Sequence, residues 1–198
     1  MFTGIIEATG IVKEIIKNNS NRTYWIQSFL SSKCKADQSI AHNGVCLTVE
    51  EIKQDMHRVT AVKETLSKTN LQNWETGTII NLEQSLLATS RLDGHFVQGH
   101  IDTTGICEKI KDQKGSWELS FSFPKKFSPL TIEKGSICIN GISLTAFDVK
   151  KNSFKVAIIP YTFMHTNLRH IRKKDLINLE FDMLGKYIQR RSSTNSNR

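Results

Sequence analysis

The sequence lacks the signatures that mark secreted, membrane-embedded and zinc-binding proteins. It shows no signal peptide and no apolar run of membrane-spanning length, so we expect neither secretion nor a transmembrane helix. Its four cysteines form no Cys-x-x-Cys pair and have no histidine at ligand spacing, so a zinc site is not expected. They are Cys34, Cys46, Cys107 and Cys138. We therefore expect a cytoplasmic protein with reduced thiols and no bound metal.

A basic stripe is also missing, although the net charge is +8. Lysine and arginine are scattered except at residues 169–174 and 190–191, and aromatic residues are not interleaved with them. This distribution favours a solvated basic surface over a nucleic-acid site. A basic nucleic-acid-binding barrel stays as an alternative, and it would bind with a steep salt dependence. With 38% hydrophobic and 23% charged residues, the chain has an ordinary globular composition.

An internal repeat organises the chain. Gly44-Val45-Cys46-Leu47-Thr48-Val49 returns 97 residues later as Gly141-Ile142-Ser143-Leu144-Thr145-Ala146. Further pairs follow in order at the same offset: Thr69-Asn70-Leu71 with Thr166-Asn167-Leu168, and Ile80-Asn81-Leu82-Glu83 with Ile177-Asn178-Leu179-Glu180. Ordered matches at one offset argue against chance, and the period is too long for a solenoid. We therefore predict a duplicated domain, with boundaries at residues 1–94 and 95–183 and a C-terminal segment at 184–198.

Short β-type segments separated by turn residues fill both halves. Their 8–12-residue spacing predicts an all-β barrel or sandwich. The predicted strands are residues 1–12, 23–29, 39–42, 46–52, 56–62 and 78–83, then 95–101, 105–111, 117–123, 136–139, 143–149, 154–159 and 176–181. Near the end, Leu184, Tyr187 and Ile188 would share one face of a short helix that needs a packing partner.

Three features leave structural and functional interpretations open. Duplication suits an enzyme that joins two copies of one molecule, or it only doubles a stable scaffold. Phe2 lies in an apolar, strand-like opening segment and would either plug a core or line a site. His95 and His100 are five residues apart and would face opposite sides of a strand, so they are not a metal pair. Each histidine taken alone is more often structural than catalytic.

Several motifs together are similar to one known family. They are Phe-Thr-Gly-Ile-Ile at the start, Ala-His-Asn-Gly-Val-Cys-Leu-Thr-Val, Lys-Glu-Thr-Leu, Gly-His-Phe-Val-Gln-Gly-His and Asn-Gly-Ile-Ser-Leu-Thr. In order and spacing they closely resemble the riboflavin synthase alpha-chain family, from Met1 to about Tyr187. The resemblance implies two tandem six-stranded antiparallel Greek-key barrels and a C-terminal helix that assembles a homotrimer, with each active site formed between barrels of two subunits.

The resemblance also implies the reaction. One molecule of 6,7-dimethyl-8-ribityllumazine would transfer a four-carbon unit to a second, giving riboflavin and 5-amino-6-(D-ribitylamino)uracil in the last step of riboflavin biosynthesis. It implies no metal and no organic cofactor, no nucleic-acid or membrane partner, and lumazine synthase as a candidate partner. Relatives that only carry lumazine or flavin provide the alternative, a non-catalytic binding protein.

The family's functional positions fall on named residues of this sequence. First-barrel ligand contacts would be Gly4, Ile5, Ile6, Cys46, Leu47, Thr48, Thr60, Ala61, Val62, Lys63, Glu64 and Thr65. Second-barrel contacts would be Gly99, His100, Ile101, Lys134, Ser143, Leu144, Thr145, Ala157, Ile158, Ile159, Pro160, Tyr161 and Thr162. The positions implied for catalysis are Phe2, Thr3, Cys46, His100, Ser143 and Asp182. Tyr161 departs from the common Glu or His of the family.

A catalyst without strong acid–base groups fits this chemistry. Strand N–H and C=O groups with Thr and Ser hydroxyls can pair with the pyrimidine edge of a lumazine. The C7 methyl of the lumazine is acidic because its ring delocalises the anion, so positioning of two stacked rings does much of the work. We hypothesise that the first-barrel ligand gains four carbons near Cys46 and Thr48. His100 of the opposing barrel would assist proton transfer, and Ser143 would hold water or hydroxide.

Overall fold

The computed structural model describes residues 1–195, with side chains to Ser192, and over this range it contains twelve strands and three α-helices. The first-half strands are β1 (Ala8–Asn18), β2 (Asn21–Gln27), β3 (Ser39–His42), β4 (Val45–Lys53), β5 (Met56–Ala61) and β6 (Ile79–Gln84). The second-half strands are β7 (Thr103–Asp112), β8 (Trp117–Ser122), β9 (Ser136–Ile139), β10 (Ile142–Phe147), β11 (Ser153–Ile158) and β12 (Leu176–Phe181). The α-helices are α1 (Lys63–Lys68), α2 (Pro160–His165) and α3 (Met183–Asn195). Short 3-10 helices cover Ser31–Lys33, Asn70–Asn73, Lys125–Leu130 and Asn167–His170.

Each half closes into an antiparallel barrel with the same strand order. Around the first barrel the order is β1-β2-β5-β4-β3-β6, and around the second it is β7-β8-β11-β10-β9-β12. Neighbours that are not consecutive in sequence give both barrels Greek-key connections. The prediction of an all-β fold with two six-stranded Greek-key barrels and a C-terminal helix is confirmed. The domain boundaries stay a prediction, and residues 196–198 of the predicted tail lie outside the described residues.

Two of the predicted strands are wrong. The strand expected over residues 1–12 begins only at Ala8, and residues 95–101 are irregular apart from one antiparallel bridge between Phe2 and Val97. The N–H groups of these segments donate to side-chain carboxylates instead of a strand ladder, and the carbonyls of Gly4 and Gly99 accept from the other barrel. We name residues 2–6 the first crossing segment and residues 97–101 the second crossing segment.

The side-chain alternation of the strands fills one core in each barrel. Along β5, His57, Val59 and Ala61 point inward while the residues between them are only partly buried. The second core is richer in aromatic rings, and Phe121 lies 5.7 Å from Phe154 between ring centroids. Burying each such ring stabilises the fold by about 2 kcal/mol.

The barrels meet at two equivalent turns, Asn43-Gly44 and Asn140-Gly141. All four residues have positive φ, from 46° to 83°, which is the geometry of a type I′ hairpin turn and suits Asn and Gly. A Cβ on Gly44 would lie 2.7 Å from the backbone nitrogen of Gly141, and one on Gly141 would lie 2.8 Å from that of Gly44. Glycine therefore serves both the turn and the close approach of the two barrels.

Buried asparagines hold the barrels in one orientation. Asn81 Nδ2 donates to the carbonyl of Asn140 at 2.9 Å, and Asn178 Nδ2 donates to the carbonyl of Asn43 at 3.0 Å. Within the barrels, the Asn43 Oδ1 accepts from Asn81 N and the Asn140 Oδ1 accepts from Asn178 N, both at 2.8 Å. Because each bond has a counterpart in the other half, the chain has an internal pseudo-two-fold axis. Each satisfied bond contributes about 1 kcal/mol net.

The C-terminal helix α3 leaves an apolar face open. Leu184, Tyr187 and Ile188, predicted to share one face, are 60%, 69% and 67% exposed. The helix is tied to the second barrel by an ion pair between Lys186 Nζ and the Asp102 carboxylate at 2.6 Å. Within the described residues, none of the helices has the length and apolar composition that crossing a bilayer requires.

Candidate functional site

The first site lies on the outer surface of the first barrel. It is a cavity of about 250 Å³ whose lining includes Cys46 of β4, Glu64 and Thr65 of α1, and His100. Cys46 is half-buried and Thr48 is exposed, because their strand positions alternate with the inward-facing Leu47. The first site therefore combines outward-facing strand groups with a wall from a distant part of the chain.

That wall is the second crossing segment. Its Gly99 carbonyl accepts a hydrogen bond from Cys46 N at 2.9 Å, and Ile101 packs against the first barrel's core. A Cβ on Gly99 would lie 2.5 Å from the Cys46 Cβ, so this contact requires glycine. Gly99, His100 and Ile101, expected among the second barrel's contacts, line the cavity of the first site in the structure. Their contacts with a ligand stay a prediction. His100 shares this cavity with Cys46 of its own chain.

The first crossing segment makes the reciprocal contact. The Gly4 carbonyl accepts from Ser143 N of β10 at 2.8 Å, and Ile6 packs against the second barrel's core. Gly4 and Ile6, expected among the first barrel's contacts, therefore lie against the second barrel, and their contacts with a ligand stay a prediction. We call the surface around Ser143, His95 and Gly4 the second site. Each site is thus built from one barrel and the crossing segment of the other half.

Two buried glutamates hold the crossing segments in place. Glu83 of β6 accepts from Thr3 N at 2.6 Å, from Thr3 Oγ1 at 2.7 Å and from Gly4 N at 3.0 Å. Glu180 of β12 accepts from Gln98 N at 2.6 Å, and from the N–H groups of Gly99 and His100 at 2.9 and 3.0 Å. Burial raises the pKa of both carboxyls, and these hydrogen bonds oppose that shift.

The second site contains a buried histidine bonded to the serine. His95 Nδ1 lies 2.7 Å from Ser143 Oγ. Burial lowers the pKa of His95, and the nearby Asp182 carboxylate opposes this shift. A neutral His95 can accept a hydrogen bond from the Ser143 hydroxyl through Nδ1, which leaves the serine oxygen free to accept a hydrogen bond from water or ligand. Asp182 also accepts from Leu184 N at 2.9 Å, at the start of α3.

Several predicted contact residues use their side chains elsewhere. Leu47 and Ala61 belong to the first core and Ile158 to the second, so only their backbone groups are available to a ligand on the outer surface. Leu144 packs partly against the second core. The predicted residues with exposed side chains are Ile5, Thr48, Val62, Lys63, Glu64, His100, Lys134, Thr145, Ala157, Ile159, Pro160 and Tyr161. Those of intermediate exposure are Ile6, Cys46, Thr60, Thr65, Ile101, Ser143, Thr162 and Asp182.

Phe2 and Tyr161 have specific neighbours. Phe2 is completely buried in a small cluster with Ala41, Val97 and Cys138 between the barrels. The plugging role is the one that its burial supports. Tyr161 is 70% exposed on α2 and stacks on His165 with ring centroids 4.2 Å apart.

Sequence reasoning missed His95, Glu83 and Glu180 as contributors to the sites. His95 was weighed only as one of two histidines, because its contact with Ser143 joins residues 48 positions apart. For the glutamates a signal existed. The repeated Ile-Asn-Leu-Glu places an acidic residue at the same point of two otherwise apolar strands, and a buried carboxylate needs hydrogen-bond donors.

Comparison with known proteins adds a family assignment to this geometry. The model of the lumazine binding domain matches the chain twice, over residues 3–85 and 98–182. The riboflavin synthase of Actinobacillus pleuropneumoniae is 38% identical over 193 residues, which cover 96% of this chain and 88% of that protein. The riboflavin synthase of Schizosaccharomyces pombe is 34% identical over 197 residues, covering 96% and 93%.

Solved structures share the fold. A crystal structure of LumP complexed with riboflavin matches with a TM-score of 0.86 and 23% identity, covering 91% of this chain and 99% of that one. LumP complexed with 6,7-dimethyl-8-(1'-D-ribityl) lumazine matches with a TM-score of 0.84 and 22% identity over the same shares. At this identity the likeness concerns the arrangement of the two barrels.

Proposed function

The chain belongs to the riboflavin synthase family of lumazine-binding proteins, and on this premise we propose how its residues perform the family's reaction. The enzyme is a transferase that converts two 6,7-dimethyl-8-ribityllumazine molecules into riboflavin and 5-amino-6-(D-ribitylamino)uracil. The observation that carries this function is the presence of two complete lumazine-binding domains in one chain. A reaction between two copies of one molecule needs two sites that recognise the same molecule.

The two sites offer matching groups to two lumazine rings. Thr48 beside the first site and Thr145 beside the second are exposed at equivalent positions of the repeat. Their hydroxyls, with neighbouring backbone N–H and C=O groups, can pair with the donors and acceptors of a pyrimidine edge. Stacking two bound rings makes the bimolecular step effectively unimolecular, which supplies about 7–11 kcal/mol of the barrier.

Ser143 and His95 provide the polar chemistry of the second site. The neutral imidazole accepts a hydrogen bond from the Ser143 hydroxyl, and the serine oxygen in turn accepts one from a water or hydroxide near the lumazine ring. In the first site, Cys46 and His100 line one cavity, so His100 assists proton transfer at the ring bound beside Cys46. Asp182 supports His95 electrostatically. Little base strength is needed, because the C7 methyl anion is delocalised over the ring.

The open face of α3 supports assembly into a homotrimer. Exposed Leu184, Tyr187 and Ile188 would be covered by neighbouring subunits, and burying each contributes about 1.5–3 kcal/mol. The trimer would bring the first site of one subunit against the second site of its neighbour. Lumazine synthase is a candidate partner, and the reduced thiols expected of Cys34, Cys46, Cys107 and Cys138 suit a cytoplasmic enzyme.

A turnover assay tests the function. The purified protein is mixed with 6,7-dimethyl-8-ribityllumazine, and we expect riboflavin fluorescence that grows with time at one riboflavin per two lumazines consumed. His100→Ala should lower turnover at saturating lumazine about 100-fold if the residue transfers a proton. His170→Ala, a change outside both sites, is the matched control.

The alternative is a non-catalytic carrier of lumazine or flavin, since LumP, which shares this fold, is complexed with riboflavin in its crystal structure. A carrier would bind lumazine stoichiometrically without forming riboflavin. That outcome would overturn the enzymatic proposal, whereas unchanged turnover in His100→Ala would remove only this residue from the mechanism. Light scattering of the assembly provides the mass that tests the trimer.

A further inference from the structure

We propose that Glu83 and Glu180 are positioning residues that act across the barrel boundary. Glu180, on the last strand of the second barrel, shapes the first site, and Glu83, on the last strand of the first barrel, shapes the second site. The inference rests on the proposed function for the identity of the ligand. It assigns each site a required residue in the barrel that does not carry that site.

The connection from Glu180 to the first site is short. Its carboxylate holds three consecutive N–H groups, those of Gln98, Gly99 and His100, at 2.6 to 3.0 Å. The same three-residue stretch ends in two residues that line the first site, and the Gly99 carbonyl receives Cys46 N. Moving the carboxylate therefore moves the wall of the cavity, although Glu180 itself is 1% exposed and does not line it.

The connection from Glu83 to the second site is the equivalent one in the other half of the chain. Glu83 holds the N–H of Thr3, the hydroxyl of Thr3 and the N–H of Gly4. The Gly4 carbonyl then accepts from Ser143 N at 2.8 Å. Ser143 is the residue bonded to His95, so the orientation of this pair depends on a carboxylate of the other barrel.

The chemistry of the clamps requires a carboxylate. Each one accepts three hydrogen bonds with both of its oxygens. Glutamine has the same shape but only one acceptor oxygen, and its amide nitrogen would face backbone N–H groups. A hydrogen bond to a charged group is stronger than one to a neutral group, so each substitution should release one end of its crossing segment.

Glu180→Gln and Glu83→Gln, each the control of the other, test the proposal in the full-length chain. Riboflavin, the non-reacting product, is titrated while the amide resonances of Thr48 and Thr145 report the first and second sites. In Glu180→Gln we expect the Kd at Thr48 to rise about tenfold, with less than a twofold change at Thr145. Glu83→Gln should give the reverse. Glu108→Gln, which changes an exposed carboxylate hydrogen-bonded to Ser122, should leave the Kd at Thr48 and the Kd at Thr145 unchanged.

The crosswise pattern separates positioning from simple destabilisation. If affinity falls in the barrel that carries the substitution, or equally in both, the proposal is overturned. Thr3→Val provides a milder second variant that only removes the hydrogen bonds of the Thr3 hydroxyl. It should raise the riboflavin Kd at the second site about threefold. If the unsubstituted protein shows no saturable riboflavin shifts, the proposed function fails instead. Binding at both sites without the crosswise pattern would contradict this inference alone.

Discussion

The two barrels share one fold but fill equivalent core positions with opposite chemistry. The first core holds His42 and His57, both completely buried, where the repeat places Ile139 and Phe154 in the second. His42 Nε2 lies 2.8 Å from His57 Nε2, and His57 Nδ1 lies 2.8 Å from Ser31 Oγ. The second barrel has a cluster of phenylalanine rings at this depth.

The comparison shows what a core needs in order to accept polar groups. The carbonyl of Ile40 can only accept, so His42 donates to it through Nδ1. His42 Nε2 then accepts from His57, and His57 Nδ1 accepts from the Ser31 hydroxyl. With both rings neutral, every nitrogen of the chain has a partner. The fold therefore tolerates an apolar core or a fully bonded polar one.

The strongest test is at the axis, where the barrels are alike. Gly44→Ala and Gly141→Ala should each destabilise the protein by about 4 kcal/mol, because the new Cβ meets immovable backbone and φ is positive. Urea unfolding measures the effect. Gly77→Ala has positive φ but no neighbour within 4 Å, so it should cost only about 1 kcal/mol. Unequal costs at Gly44 and Gly141 would contradict the two-fold interpretation.

Acid should affect the first barrel more than the second. Burial lowers the pKa of His57 to about 4 and that of His42 well below 6.5. Between pH 6.5 and 4 the unfolded chain binds protons that the folded core refuses, so stability falls as pH falls through this window. For His57 the loss is roughly 3 kcal/mol. The variant Trp117→Phe keeps only Trp25 and Trp74, which both lie in the first half of the chain. Its tryptophan fluorescence therefore reports the urea unfolding of the first barrel.

The double variant His42→Ile/His57→Phe is the control for the acid effect. It carries the second barrel's residues at both positions, and its stability should lose this part of the pH dependence while other titrating groups, including Glu83 and Glu180, still contribute. Equal pH profiles in both proteins would show that the histidines do not cause the acid effect.

Breaking the polar chain at one point should cost more than replacing it. His57→Phe leaves His42 Nε2 and the Ser31 hydroxyl without their partner, and we expect about 2 kcal/mol of destabilisation at pH 7.5. Adding His42→Ile should recover part of that loss, because both hydrogen-bonded imidazoles are then replaced by apolar side chains. Thermal unfolding measures both. If the double variant is less stable than His57→Phe alone, the volume of the core side chains decides the result and not their hydrogen bonding.

The smallest expected effect is at an attachment of α3 that has no counterpart on the first barrel among the described residues. Lys186 of α3 pairs with Asp102, whereas the equivalent Glu7 accepts only the N–H of Gln84 among its described bonds. Lys186→Met should destabilise by about 1 kcal/mol, since the side chains are 25% and 19% exposed. A double-mutant cycle with Asp102→Asn isolates the pair energy. A coupling energy of zero would show that this ion pair does not contribute to holding α3 on the barrel.

The barrel strands were predictable because local patterns determine them. Residues 39–42, 136–139 and 176–181 were predicted with the bounds that the structure has, since short β-type runs and the turn residues around them are visible in sequence. The crossing segments were not, because their partners Glu83 and Glu180 lie about 80 residues away. Without those partners an apolar segment is indistinguishable from a strand.

The site was predictable in its outline only. Cys46, Thr48, Ser143 and Thr145, which the family resemblance implies, lie in the repeated motif, and the structure places them at equivalent positions of two barrels. Which crossing segment lies beside which barrel depends on the packing of the two halves, and the sequence does not show that packing. The bond between His95 and Ser143 also arises only after that packing.

The crossing of the segments also determines when the two sites can form during protein synthesis. Thr3 is translated 80 residues before Glu83, and Gly4 waits longer still for Ser143. At about 5–20 residues per second, those first residues spend several seconds outside the ribosome with nothing to dock on. Both catalytic surfaces therefore mature together, only once the polypeptide is nearly finished, so a stalled or shortened translation product would emerge with neither.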